Sequence, residues 1–400
     1  MALSMIDWTD AGQPHRALWR SEASVTAPAR VQVVDDTLTA DKGYRLACEG
    51  TALLWRGDFQ NARQTLVAIM HRIDRRQAKR RDKSSTRTAD AANQTPSADA
   101  FHKHRLERSQ RARILNALLV PVSGDYGIPL RRAPDMRQAL TEAWGPADGV
   151  DSVVSLRELL GLVGAHEWRK KGVAIAALGK GDDDRIHPHY GVFAPTRGEY
   201  IDLVAATPMP TTELAFDIGV GTGVLTAVLL RRGVKRVLAT DTDPRAITCA
   251  RENLVRLGMA NRVELLTCDM FPPGKSPWIL CNPPWVPARA SAPIERAIYD
   301  EDSRMLRAFL EGLASHLTPG GEGWLVLSDI AEHFGLRTRQ QLLDWIAEAG
   351  LVVIERHDIR PRHGKAADVS EALHAARAAE VTSLWRLAAM QANHKGDSRP

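Results

Sequence analysis

Between residues 211 and 390 short apolar runs alternate with stretches of helical period, and this alternation limits the possible folds more than any other feature of the chain. Runs at 214–218, 236–240, 262–267, 278–281 and 323–328 read as strands. Residues 224–232, 244–257 and 304–316 read as helices between them. A strand buried on both faces shows as a continuous apolar run rather than an alternating one, and helices must cover it. The pattern therefore predicts an α/β domain with a parallel sheet. A further helix at 338–349 and two final strands at 351–354 and 381–387 complete it.

The first strand leads into a glycine-rich turn, Asp217-Ile218-Gly219-Val220-Gly221-Thr222-Gly223. Glycine is needed where the backbone takes positive φ and where it must approach a ligand closely. A dinucleotide fingerprint places its third small residue where this chain has Val224. With Gly223 one residue early, the spacing fits S-adenosylmethionine (SAM) better than a nicotinamide dinucleotide. Asp241 ends the second strand, 18 residues past Gly223. A carboxylate there can accept both ribose hydroxyls of an adenosine, in either cofactor class. Asp243, just before Pro244, is the better cap for the helix that follows.

About sixty residues after the glycine turn comes Leu280-Cys281-Asn282-Pro283-Pro284-Trp285. Two prolines stop a strand. The motif thus lies beyond the carboxyl end of the fourth strand, where open α/β sheets bind ligands. An amide or nucleobase NH2 is a poor nucleophile because its lone pair is delocalised. The Asn282 carbonyl and the Pro283 backbone carbonyl can each accept one N–H, which aims the nitrogen and favours positive charge building on it. Trp285 offers a flat face for a planar group.

Taken in order, the glycine turn, Asp241, Asp269 after the third strand and Asn-Pro-Pro-aromatic resemble the class I SAM-dependent methyltransferases. The branch is the one that methylates planar amino nitrogens. The motif is similar to those of the release-factor glutamine methyltransferases and of the rRNA and tRNA guanine-N2 or adenine-N6 methyltransferases. The resemblance covers about residues 187–390. It implies a Rossmann-like seven-stranded sheet, mostly parallel with the last strand antiparallel, and SAM as cofactor. It further implies that Asp269 meets the adenine amino group. Asp217 would orient the glycine backbone or the methionine ammonium, and Gly219, Gly221 and Gly223 would line the cofactor. Asn282, Pro283 and Trp285 would be catalytic. The aromatic is usually Tyr or Phe, so Trp285 departs from the pattern and leaves the target open.

Four hundred residues predict two domains. Residues 1–150 read as a mixed, mainly helical N-terminal domain, 151–210 as a connection, 211–390 as the methyltransferase domain and 391–400 as a tail. In the first part, strands are predicted at 31–34 and 44–48. Helices are predicted at 58–72, at 100–119 with Pro121 as its stop, at 135–144 and at 155–164, followed by a strand at 172–178. Residues 72–100 hold too little apolar material for a core and read as a flexible linker. From His71 to Arg113 there are 13 Lys and Arg against 5 Asp and Glu, in a chain of net charge +5. Such a basic segment suits an anionic partner such as RNA, or a solvated linker. Arg289, and Lys365 beside Arg362 and His363, lie on two loops placed to frame a substrate. The four cysteines form no CxxC pair and no residues show zinc-ligand spacing, so no metal is expected. His187 and His189, on either side of Pro188, read as structural or as part of the entrance to the SAM site. The cysteine usage, the absence of a basic-then-apolar leader and the lack of a long apolar run point to a cytoplasmic protein.

The first functional reading is methyl transfer to an exocyclic amine of a base in RNA. The second is transfer to a protein glutamine side chain. A third keeps the fold but not the catalysis. A nicotinamide oxidoreductase is disfavoured by Val224 and by the lack of a placed catalytic His, Tyr or Lys.

Overall fold

The computed structural model describes residues 4–85, 98–290, 293–361 and 373–390. The chain divides into two compact units, one of residues 1–94 and 99–170, the other of 95–98 and 171–400.

The first unit holds strands β1 (Met5–Asp10), β2 (Gln13–Arg20), β3 (Val31–Val34), β4 (Ala52–Trp55), β5 (Leu118–Val122) and β6 (Ser152–Ser155). Its helices are α1 (Ala40–Cys48), α2 (Phe59–Ser85), α3 (Ala98–Asn116), α4 (Arg137–Trp144) and α5 (Leu156–Lys171). Helical residues predominate, as predicted, but they surround a six-stranded sheet of order β1-β2-β6-β5-β4-β3 of which the sequence reading found only β3. Three expectations are corrected. Residues 44–48 close helix α1 instead of forming a strand: Thr39 caps it by accepting from the Lys42 N–H at 3.4 Å, and Gly43 and Ala47, four apart, share the buried face. The basic stretch after Arg72 continues α2 as far as Ser85, while residues 86–97 of the expected linker lie outside the described residues. Arg, Lys, Gln and Ala are strong helix formers, and their low apolar content bears on burial rather than on helicity. Pro121 lies inside β5. Pairing with β4 has ended by Leu119, so the proline sits where one flank of the strand has no ladder to interrupt.

The second unit opens with the short pair β7 (Val173–Ala174) and β8 (Arg185–Ile186), then α6 (Glu199–Ala206). The core follows as β9 (Leu214–Ile218), α7 (Val224–Arg231), β10 (Arg236–Asp241), α8 (Pro244–Arg256), β11 (Val263–Thr267), β12 (Ser276–Cys281), α9 (Arg304–His316) and β13 (Leu317–Ser328). It ends with α10 (Ile330–His333), α11 (Arg339–Glu348), β14 (Leu351–Ile359), α12 (His374–Ala379) and β15 (Thr382–Ala389). The predicted strand at 172–178 is reduced to β7.

The seven-stranded sheet has the order β11-β10-β9-β12-β13-β15-β14. The first five pair in parallel, and β15 runs antiparallel to both neighbours. Two apolar layers clothe it. One joins α7 and α8 to Trp278 and Trp324, whose rings meet edge to face at 4.6 Å. The other joins α9 and α11 to Phe216, Ile279 and Cys281. Fully burying each large side chain contributes roughly 2–3 kcal/mol. Among the described residues no helix is long and apolar enough to cross a membrane, and no group of three or more His, Cys, Asp or Glu could hold a metal ion.

Candidate functional site

Strand register brings the motifs together. Ile218 on β9 pairs with Thr240 on β10 and with Cys281 on β12. The next residue on each strand, Gly219, Asp241 and Asn282, therefore leaves the sheet at the same level on three neighbouring strands. Strands lie about 4.8 Å apart, so Asp241 and Asn282 flank the glycine turn within about 10 Å of each other.

The turn is built from the backbone. The Gly219 and Val220 N–H groups donate to the Thr240 carbonyl at 2.9 and 2.8 Å, folding the turn back over β10. Gly219, Gly221 and Gly223 take φ of +80°, +52° and +81°. A side-chain carbon at Gly219 would lie 2.9 Å from the Met305 methyl, and one at Gly223 would lie 3.2 Å from Ala250 Cα. At Gly221 it would meet nothing within 4 Å, so this is the residue whose backbone faces open space.

Asp241 holds the turn from the side. Its Oδ2 accepts from the Gly221 N–H at 3.0 Å and its Oδ1 from the Asp243 N–H at 2.9 Å. Burial raises its pKa, and these N–H groups pull the other way. Asp243 caps α8, accepting from the Arg245 N–H at 2.9 Å ahead of Pro244 in the first turn. Asp241 is thus free of capping.

Asp217 is almost fully buried and accepts from the Thr226 hydroxyl at 2.6 Å. Burial pushes its carboxyl up to about 6, against the hydrogen bonding from Thr226. Asp269 lies on the same edge of the sheet but is exposed, 3.7 Å from Arg304.

Beyond β12, Asn282 is half-buried and Pro283 buried. Asn282 Oδ1 accepts from the Trp285 indole N–H at 2.9 Å. Trp285 meets Tyr200 edge to face at 6.4 Å and packs against both apolar layers of the sheet. The loop after it returns on itself: the Asp300 N–H donates to the Val286 carbonyl, and Asp300 then accepts from the Met305 and Leu306 N–H groups at the head of α9. Arg289 is exposed on this loop. Lys365, with Arg362 and His363, lies outside the described residues.

The His187-Pro188-His189 stretch is fastened to α8. The His187 N–H donates to Asn253 Oδ1 at 2.8 Å, and the His189 ring pairs with Glu252 at 2.7 Å. Sequence reasoning missed Thr226, Thr240, Tyr200, Met305 and Asp300. Thr226 carried a signal, being a hydroxyl in an otherwise apolar helix and therefore in need of a buried partner.

A family model of the methyltransferase small domain matches residues 185–343. Among curated relatives, a release factor glutamine methyltransferase of Cereibacter sphaeroides is 33% identical over 135 residues, covering 30% of this chain and 48% of that protein. A tRNA1(Val) (adenine(37)-N6)-methyltransferase of Bacteroides fragilis is 28% identical over 157 residues, covering 35% and 66%. The chain thus spans about half the length of the first of these. Among solved structures, the ribosomal protein L11 methylase of Lactobacillus delbrueckii subsp. bulgaricus is 18% identical with a TM-score of 0.34, over 48% of this chain and 77% of that one.

Proposed function

We propose that this chain, through the methyltransferase small domain at residues 185–343, is a SAM-dependent N-methyltransferase acting on a planar amino nitrogen, and that the nitrogen belongs to a base in RNA. One observation carries the reading. The glycine turn, Asp241 and Asn282 emerge at one level from three adjacent strands, which sets a cofactor cradle directly beside a polar acceptor.

The residues fit the cofactor. The open space at Gly221 admits a ligand against the backbone, and Asp241 is half-buried with its carboxylate held rigidly by two N–H groups. Asp241 would receive the ribose hydroxyls. Removing such a charge-assisted interaction costs about 1.5–3 kcal/mol of affinity. Asp269 would serve the adenine from its exposed position, and Asp217 would hold the head of α7 through Thr226. When bound, SAM supplies an electrophilic methyl on a sulfonium.

Asn282 and Pro283 do the orienting. The free lone pair of Asn282 Oδ1 and the Pro283 carbonyl each accept one N–H of the target, turning its nitrogen lone pair toward the cofactor. Both acceptors grow stronger as positive charge develops on nitrogen, so they stabilise the transition state more than the ground state. Pro283 and Pro284 fix the backbone, which removes orientational entropy from the barrier. Asparagine is not a base, and the proton passes to solvent after transfer, when the methylated nitrogen is acidic.

RNA is preferred because α2 and α3 expose Arg75, Arg76, Lys79, Lys103, Arg108 and Arg113. Some cations there also have partners within the protein, Arg72 with Asp41, Arg76 with Tyr44 and Arg111 with Asp74. A glutamine side chain is the second reading, favoured by the release factor glutamine methyltransferase among the relatives. The deciding experiment is transfer of labelled methyl from SAM into a cell extract, followed by nuclease or protease. Label released by RNase is the expected result. Label released only by protease would replace the RNA reading with the glutamine one, and no label in any fraction would overturn the activity.

A further inference from the structure

We infer that Trp285 works as a positioning residue, its indole N–H holding the Asn282 amide in the one orientation that leaves a carbonyl lone pair for the target nitrogen. The inference rests on the methyltransferase reading and specifies how its acceptor is held. An asparagine amide presents an oxygen acceptor on one side and an NH2 donor on the other. Rotated by half a turn about χ2, Asn282 would show donors to an incoming N–H and repel it. Nothing in an Asn-Pro-Pro sequence alone chooses between the two states.

The structure supplies the choice. The Trp285 indole is a donor only, and it lies 2.9 Å from Asn282 Oδ1. It can be satisfied by the oxygen and not by the NH2. One lone pair of Oδ1 is thereby occupied and the other is left over. A phenylalanine at this position could not make the bond. A tyrosine carries its hydroxyl at the far end of the ring, away from the asparagine three residues earlier.

The clamp is rigid because the ring is held elsewhere as well. Trp285 touches the apolar layers on both faces of the sheet and meets Tyr200, itself only 6% exposed, edge to face. Two of its surfaces are therefore committed to the protein. Its leading task is the orientation of Asn282, and the stacking expected from sequence becomes secondary.

The test uses the full chain in two arms. In the first, the Trp285 indole resonance is identified in an amide-nitrogen spectrum as the indole signal that disappears in Trp285→Phe. It should be protected from solvent exchange and should shift and lose protection in Asn282→Ala. An indole signal indifferent to Asn282→Ala would overturn the inference without any reference to substrate. In the second, Trp285→Phe is assayed with labelled SAM and total RNA as acceptor. SAM affinity and KM for RNA should stay near wild type, while kcat falls about tenfold, the size of one missing hydrogen bond. An unchanged kcat would overturn it. If wild type labels no RNA, the activity reading fails and the first arm still decides the clamp. If Trp285→Phe does not fold, the Asn282→Ala spectrum decides it without that assignment: one protected indole signal of wild type should shift and lose protection, and a spectrum in which none of the indole signals does so would overturn the inference.

Discussion

At the residue scale, the most telling group is Asp217. A carboxyl with an ordinary value near 3.8 stands at about 6 because it is buried. The sign follows from linkage. The folded chain holds this proton more tightly than the unfolded chain, so stability falls as pH rises from about 4 and levels off above about 6. The full excursion is about 3 kcal/mol for a shift of this size. Asp217→Asn keeps an oxygen for the Thr226 hydroxyl and removes the titration. We predict that denaturant midpoints at pH 4.5 and 7 will lie closer together in Asp217→Asn than in wild type. Equal spacing in both would show that Asp217 is not held protonated by the fold. Such a residue was half legible in the sequence. Its place before the glycines was plain, but its burial depends on α7 lying over β9, which no local pattern states.

At the scale of the element, the glycine turn separates two jobs that look alike in a sequence. Gly223 is hemmed in by Ala250 of α8, and Gly221 is open. Both take positive φ, so an alanine strains either by about 1 kcal/mol. We expect Gly223→Ala to lose stability beyond that strain, since its added carbon meets backbone. Gly221→Ala should fold with a small loss and bind SAM at least tenfold more weakly, because its methyl occupies the ligand's approach. Calorimetric titration of both variants, beside their melting temperatures, checks this. Equal SAM affinity in Gly221→Ala and wild type would remove the turn from the cofactor site.

The elements of the second unit were readable because they are extreme cases. β12 and α7 are buried along nearly their whole length, and α8 announces itself with Asp243 and Pro244. The strands of the first unit were not readable. β1 and β2 carry Asp7, His15 and Arg16 at exposed positions, which dilutes any apolar run, and Pro121 hides β5. The Asn282–Trp285 bond could not be read either, since a motif gives the order of side chains and not the direction in which an amide points.

At the scale of the whole molecule, the basic span from His71 to Arg113 (13 cationic residues less 5 anionic, an excess of +8) includes two long helices, α2 and α3, with residues 86–97 between them outside the described residues. Exposed cations on these helices have a measurable signature if they meet RNA. Replacing Arg75, Lys79, Lys103 and Arg108 together by Glu should weaken RNA binding strongly. It should also lower the slope of log affinity against log salt by roughly 0.7–0.9 for each phosphate that is no longer neutralised. Filter binding to total RNA across a salt series measures both. A slope that does not change would leave these helices without a part in RNA binding and would favour the glutamine target.

The strand order carries a consequence for synthesis. β14 is made before β15 but reaches the rest of the sheet only through it. A chain emerging from the ribosome can assemble β9 to β13 as each strand appears, while β14, with Val352, Val353 and Ile354 exposed, has no neighbour to join. Its partner arrives only with residues 382–389. Until then an apolar strand edge stays open on a half-built protein, and an open edge is a template for pairing with other chains.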